Sequence, residues 1–322
     1  MMRASQRAWL ILVSMAALAA IALVAAVACG STGCRAVPAD ILWALRLPRA
    51  LSAFAVGGLL ALAGALMQIL LRNPLADPYV LGVSGGAAAG AMTAMLLAPV
   101  ALMTWSVHLG ALAGALLATA LLFGLARGAL LHLVAAVSGV RLILTGVMIA
   151  AGFGACMTLI LSLAPDARLR GMIFWLMGDL DNNLLYAPAC VALVLAVAWA
   201  CVNAARLNVL SHGDAAAQLL GVPVVRLRAV TLLVASVATA AAVAVAGTIG
   251  FVGLVVPHAL RMVFGHDQRL LLPASALGGG IALVLADLLA RTVVAPTQLP
   301  VGVITALVGV PVFLFLLGRG RA

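Results

Sequence analysis

The sequence LSAFAVGGLLALAGALMQILL occupies residues 51–71 and contains no charged side chain. Arg49 lies just before this stretch and Arg72 directly follows it. About 20 apolar residues are needed for one α-helix to cross the hydrocarbon core of a bilayer. Because a spanning helix satisfies its backbone hydrogen bonds internally, residues 51–71 predict a transmembrane helix with an arginine near each end.

The rest of the chain repeats this pattern. Of its 322 residues, 66% are hydrophobic and only 8% are charged, whereas about a quarter of the residues in a soluble domain are charged. Nine further apolar stretches occur at residues 9–29, 80–97, 108–125, 142–163, 184–203, 229–248, 252–264, 271–289 and 302–317. We therefore expect an all-α integral membrane protein with about ten transmembrane helices, folded as a single domain over residues 1–322.

Small residues within the stretches predict close helix packing, because backbones in lipid approach each other where side chains are absent. The glycines concerned are Gly57, Gly58, Gly64, Gly86, Gly90, Gly110, Gly114 and Gly278 to Gly280. Residues 9–29 are longer than the apolar part of a secretory signal, which has about 7 to 15 residues. We expect them to be retained as the first membrane helix.

The charged residues exclude several functions. All 18 basic residues are arginine and all 8 acidic residues are aspartate, so the chain has no lysine or glutamate. A P-loop needs a lysine on the phosphates, and a pyridoxal enzyme needs a lysine amine. We therefore expect a non-enzymatic protein, with ATP and Mg²⁺ used by a partner. Arginines at cytoplasmic helix ends explain the net charge of +10 better than nucleic-acid binding does.

The five cysteines have neither a CxxC spacing nor nearby histidines, so we expect no metal site and no bound cofactor. Cys29 and Cys34 flank a short loop, and a disulfide between them stays open as an alternative to two free thiols.

Arginine positions predict the orientation. An even number of spans puts both termini on one side, and Arg3, Arg7, Arg319 and Arg321 indicate that this side is the cytoplasm. Six arginines then fall on the outer side as exceptions to the positive-inside rule: Arg35, Arg46, Arg49, Arg168, Arg170 and Arg291.

The middles of the predicted spans are nearly free of ionisable groups, which ion-coupled carriers usually keep near the bilayer midplane. Asp287 is the one acid well inside a predicted span, and it precedes Arg291 by four residues. An ion pair between them is favoured over a proton relay. A pathway without fixed charges indicates a bulky cargo and an external energy source. The alternative, a stand-alone secondary transporter, would depend on Asp287.

The longest cytoplasmic connection, residues 206–228, reads RLNVLSHGDAAAQLLGVPVVRLR. Asp214 is placed to be the N-cap of a short helix, and Gly221 is placed to end it. The helix is too small and too rich in alanine to anchor in lipid. We therefore expect it to dock a soluble protein.

Five collinear strings resemble one family: RLPRALSAFAVGGLLALAGALMQILLRNPLADPYVLGVSGGAAAG (46–90), FWLMGDL (174–180), GDAAAQLLGVPV (213–224), GTIGFVGLVVPHALRMVFGHDQRLLLP (247–273) and LPVGVITALVGVPVFLFLL (299–317). They resemble the permease subunits of type II ABC importers for iron-siderophores, haem and vitamin B12. The resemblance implies a homodimeric permease in the bacterial inner membrane, two cytoplasmic ATP-binding subunits and a periplasmic substrate-binding protein. It implies import of a large metal chelate, and an iron complex is favoured because iron cargoes dominate the family.

The resemblance also implies roles for the outer arginines. Arg46, Arg49 and Arg291 would meet acidic residues of the binding protein, where charge pairs chiefly set docking rate and orientation. Snorkelling at a helix start is the alternative for Arg46 and Arg49, and Arg291 could be committed to Asp287.

On the inner side, the resemblance implies that Asn73 and Leu75 of the NPLA motif narrow the cytoplasmic gate. Gly139 and Val140 occupy the second gate position, where the family's vitamin B12 importer has small hydroxyl residues. The residues that would couple to the ATPase are Asp214, Leu219, Leu220, Gly221, Val222 and Pro223.

Overall fold

The computed structural model describes residues 4–31, 33, 38–125, 135–180 and 185–319. Within these ranges the helices are α1 (Ala4–Ala28), α2 (Ala39–Leu70), α3 (Val83–Leu97), α4 (Met103–Leu125), α5 (Ala135–Leu163), α6 (Asp166–Leu176), α7 (Tyr186–Ser211), α8 (Asp214–Leu219), α9 (Val224–Ala246), α10 (Val252–Phe264), α11 (Gln268–Thr292) and α12 (Val301–Arg319). Eight are long and apolar enough to span a membrane, and α3 and α10 are shorter apolar helices. Each of the ten coincides with a predicted span, which confirms the all-α membrane fold.

Helix α2, which contains the stretch quoted first, forms the centre of the bundle. Its residues 55–70 are all buried, and it packs against α7, α9, α10 and α11. Surrounding one apolar helix with four others satisfies the rule that a helix hydrophobic on all sides is buried. The remaining helices are added outside this group, with α4 lying along α3.

Glycines produce the closest helix contacts, as the sequence predicts. A Cβ atom on Gly64 of α2 would overlap the backbone of Gly253 at the start of α10, and one on Gly57 would overlap the carbonyl of Gly279 in α11. The α3–α4 pair uses the same device, because Gly90 faces Gly110. Backbone-to-backbone contact of this kind replaces the hydrophobic driving force that helices lack in lipid.

Helix α2 begins twelve residues earlier than residues 51–71 indicate, and its extension contains a π-helical segment, Leu42–Arg46. Pro48 follows this segment and cannot donate a backbone hydrogen bond to the preceding turn. An inserted π turn accommodates this loss without ending the helix. The π turn contains Arg46, whose side chain reaches the carbonyls at the end of α1. Arg49 follows one turn later in α2.

Four of the five strings meet at one junction. The backbone N–H of Asp179 donates to Ala246 O at 2.8 Å, and that of Val301 donates to Gly178 O at 3.2 Å. The N–H of Ile249 donates to the hydroxyl of Tyr79 at 2.8 Å. These bonds tie the ends of α6 and α9 to the start of α12 and to the loop that follows α2.

Candidate functional site

The first site lies where α1 ends, at the end of the bundle that the sequence predicts to face outward, and is called the outer site. Arg46 is 7% exposed, and its Nη1 donates to Val27 O at 3.1 Å and to Ala28 O at 2.8 Å. The last carbonyls of a helix have no partner within the helix and carry the negative end of its dipole. Arg46 therefore caps α1 from the neighbouring helix.

Asp287 in α11 is 0% exposed. Its Oδ1 accepts hydrogen bonds from Arg49 Nη2 at 2.8 Å and from Arg49 Nε at 3.0 Å. Its Oδ2 pairs with Arg291 Nε at 2.9 Å. The i,i+4 ion pair predicted from the sequence is thus present, and a second arginine from α2 is added to it. Arg49 also donates to the amide oxygen of Gln298 at 2.9 Å.

The outer arginines share a structural task. Arg291 reaches Ala26 O at 3.2 Å, and Arg168 in α6 donates to Met95 O and Leu96 O at the end of α3, at 2.7 and 2.8 Å. Helix ends on this face present unpaired carbonyls, and a guanidinium supplies five donors to satisfy them. This accounts physically for three of the exceptions to the positive-inside rule.

A second site begins where α2 ends, at the end of the bundle predicted to face the cytoplasm, and is called the inner site. Arg72 has a positive φ of 47°, and the chain then turns through Asn73, Pro74 and Leu75. Asn73 Oδ1 accepts a hydrogen bond from the N–H of Leu75 at 2.9 Å, which is an Asx turn. Leu75 is 42% exposed, so an apolar side chain lies free at the tip of this loop.

The second pair of expected gate residues lies at the start of α5. Gly139 and Val140 belong to its first turns, but their side-chain surroundings lie outside the described part of the structure. Cys34 also lies outside the described residues, whereas Cys29 is disulfide-bonded. Within the described ranges, no three side chains of His, Cys, Asp or Glu lie together as metal ligands would.

Helix α8 lies in the segment predicted to dock a soluble protein, and its bounds agree with the prediction. Leu219 and Leu220 are 89% and 70% exposed. Gly221 ends the helix with a φ of 74°, and its N–H donates to Gln218 O at 2.9 Å. Val222 and Pro223 then lead directly into α9.

The prediction that Asp214 caps α8 is wrong. Gly213 is the N-cap residue, and the Asp214 side chain makes no capping hydrogen bond. Its Oδ1 instead accepts from Arg72 Nη2, and its Oδ2 accepts from Arg228 Nη1 at 3.2 Å. Two guanidinium groups attract a buried carboxylate more strongly than a backbone N–H does. One feature of the sequence could have indicated this cluster. Arg72, Asp214 and Arg228 all lie near helix ends predicted to be cytoplasmic, in a chain with only eight acidic residues.

The ten apolar helices of the described residues, with the short helix α8 exposed on one face, define a multi-span membrane protein. The sequence matches the model of the FecCD transport family over residues 8–319. The chain therefore belongs to the FecCD transport family, whose members include permeases of ABC importers.

Individual relatives agree with this assignment. The chain is 42% identical over 277 residues to the vitamin B12 import system permease protein BtuC of Salmonella typhi, covering 86% of this chain and 83% of that one. It is 41% identical over 281 residues to the protein of the same name from Citrobacter koseri, covering 87% and 83%. Among solved structures, a metal-chelate type ABC transporter in an inward-facing conformation superposes with a TM-score of 0.85 at 29% identity, covering 97% of this chain and 99% of that one.

Proposed function

We propose that this chain is the permease subunit of an ATP-driven importer that moves a corrinoid of the vitamin B12 type from periplasm to cytoplasm. The observation that carries the proposal is 42% identity to a vitamin B12 import permease over 86% of the chain. This favours a corrinoid over the iron complex expected from the sequence. Iron-siderophore and haem are the competing cargoes.

The proposed complex contains two copies of this chain, two cytoplasmic ATP-binding subunits and one periplasmic binding protein. ATP and Mg²⁺ bind to the ATPase subunits, and this chain holds no cofactor. The exposed Leu219 and Leu220 support this arrangement, because two leucines at the tip of a six-residue helix suit a cleft in a soluble partner. The chain lies in the bacterial inner membrane with both termini in the cytoplasm.

The proposed docking surface for the binding protein is the outer site. Arg49 has a 12% exposed side chain, and Arg46 and Arg291 are less exposed. We assign Arg49 the direct electrostatic role, while Arg46 and Arg291 hold the ends of α1, α2 and α11 in place. Asn73 and Leu75, with Gly139 and Val140, form the proposed inner gate.

The test of cargo uses proteoliposomes that contain the complete complex with ATP inside. Uptake of labelled cyanocobalamin, a ferric siderophore and haem is measured with the binding protein outside. We expect ATP-dependent uptake of cyanocobalamin at least ten times faster than uptake of either iron compound. Faster uptake of a ferric siderophore or haem would contradict the corrinoid assignment.

The alternative function is a secondary transporter driven by an ion gradient. It requires a titrating group in the pathway, and Asp287 is its candidate. The ion pairs of Asp287 with Arg49 and Arg291 weigh against this role, because they engage both carboxylate oxygens.

A further inference from the structure

The carboxylate of Asp214 connects three separate elements. Asp214 is the first residue of α8, Arg72 follows the last turn of α2, and Arg228 lies in the first turns of α9. Arg72 and Asp214 are 142 residues apart in the chain. One side chain therefore joins the exposed docking helix to the loop that carries Asn73 and Leu75.

Burial makes this connection stiff. The side chains of Asp214 and Arg228 are 4% and 5% exposed, and that of Arg72 is 34% exposed. Separating a buried carboxylate from its cations leaves an uncompensated charge, which is strongly unfavourable. If Asp214 moves, Arg72 and Arg228 therefore move with it more readily than the ion pairs break.

Arg72 is well placed to pass a displacement to the gate. Its backbone has a φ of 47°, a conformation that residues other than glycine rarely adopt. The next residue, Asn73, starts the Asx turn that holds Leu75. Asp214 therefore binds the side chain of Arg72, which directly precedes Asn73 of the proposed gate.

The two residues that bound α8 are glycines with positive φ. Gly213 and Gly221 flank the helix with φ values of 128° and 74°, and no atom lies within 4 Å of a Cβ placed on either. Ala217 is 0% exposed on the inner side of the helix, opposite the exposed leucines. Asp214 and Ala217 are thus the inward contacts through which α8 meets the bundle, and only Asp214 is charged.

We propose that Asp214 is the positioning residue that transmits movement of the coupling helix to the inner gate, through Arg72 to Asn73 and Leu75 and through Arg228 to α9. This inference rests on the proposed function, because it assumes that an ATPase moves α8.

The experiment measures cargo molecules imported per ATP hydrolysed by the complete complex in proteoliposomes. We expect Asp214→Asn and Arg72→Met each to lower this ratio at least tenfold. A merely structural role would instead reduce the amount of assembled complex while leaving the ratio for the assembled fraction unchanged. That second outcome would overturn the proposal.

A triple variant, Arg72→Met with Asp214→Asn and Arg228→Met, removes all three charges together and leaves none unpaired. Such neutral replacements of a buried charge cluster are often tolerated in folding. We expect the triple variant to assemble and to retain the tenfold lower ratio. A ratio restored to the wild-type value would mean that the cluster serves charge balance alone and would refute the transmission role.

Arg226→Gln is the matched control, because Arg226 lies two residues before Arg228 and its side chain is exposed. Its ratio should equal that of the wild-type complex within about twofold. If the wild-type complex fails to import with ATP, the proposed function falls and this inference with it. If the wild-type complex imports and the Asp214 and Arg72 variants keep its ratio, only this inference falls.

Discussion

At the scale of single residues, the clearest result is how this chain uses its few charges. Asp287 and Asp214 each hold two arginines, one cluster at the outer face and one at the inner face. The pair of Asp287 with Arg291 is predictable, because i,i+4 spacing on a helix fixes their proximity. The partners Arg49 and Arg72 are not predictable from spacing, because they lie 238 and 142 residues from Asp287 and Asp214 in the sequence.

Replacing Asp287 by asparagine should destabilise the protein. The change keeps the side-chain shape but leaves Arg49 and Arg291 buried without a counter-charge, which costs about 3 to 5 kcal/mol. Thermal unfolding in detergent is the measurement, and Asp40→Asn, at an exposed position, is the control that should stay near wild type. Loss of ion-driven transport at unchanged stability would support the secondary-transporter alternative instead.

Asp77, in the loop between α2 and α3, gives a pH dependence with a defined sign. Burial raises the pKa of its carboxyl to about 6 from 3.8, although the hydrogen bond from the N–H of Tyr79 acts in the opposite direction. A carboxyl whose pKa is higher in the folded state favours folding when protonated. Its contribution is therefore present below about pH 4 and is lost as the pH rises through about 6.

Asparagine at position 77 keeps the acceptor for Tyr79 and cannot ionise. We expect Asp77→Asn to be more stable than wild type at pH 7.5, by about 1 to 3 kcal/mol, and equal to it at pH 4. Unfolding curves recorded at both pH values test this. An equal pH dependence in the two proteins would show that Asp77 does not titrate on unfolding.

At the scale of elements, apolar length alone located the ten bundle helices, because each span needs about 20 apolar residues. Helix α6 escaped prediction, since Asp166, Arg168 and Arg170 interrupt its apolar pattern. The first twelve residues of α2 were missed for a related reason, because Arg46, Pro48 and Arg49 read as a boundary. In both cases the arginines cap or brace neighbouring helix ends, so tertiary contacts decide the local structure.

The contact between α2 and α10 gives an element-scale prediction. A methyl group on Gly64 meets the backbone of Gly253, so Gly64→Ala must push the two helices apart and should cost about 1 to 3 kcal/mol. Gly124→Ala in α4 is the matched control, because a Cβ there meets no atom within 4 Å. Alanine favours helix over glycine by up to about 1 kcal/mol, so the control should be slightly stabilised. Equal effects of the two substitutions in thermal unfolding would contradict the packing described here.

At the scale of the whole molecule, the short helix α8 is exposed at one end of the bundle, and Asp287 with its two arginines lies at the other. The family and the fold were accessible from the sequence, because five collinear strings are distributed from Arg46 to Leu317. The roles of the site residues were less accessible. Arg46 and Arg291 are buried, and both donate to carbonyls at the end of α1, which no spacing rule indicates.

The most direct test of the central claim asks whether the chain can drive transport alone. Purified protein is reconstituted into liposomes, with and without the ATPase subunits and binding protein, and labelled cyanocobalamin inside the vesicles is measured under an imposed proton or sodium gradient. The account predicts accumulation above the outside concentration only with the partners and ATP. Accumulation by the chain alone, driven by either gradient, would contradict it.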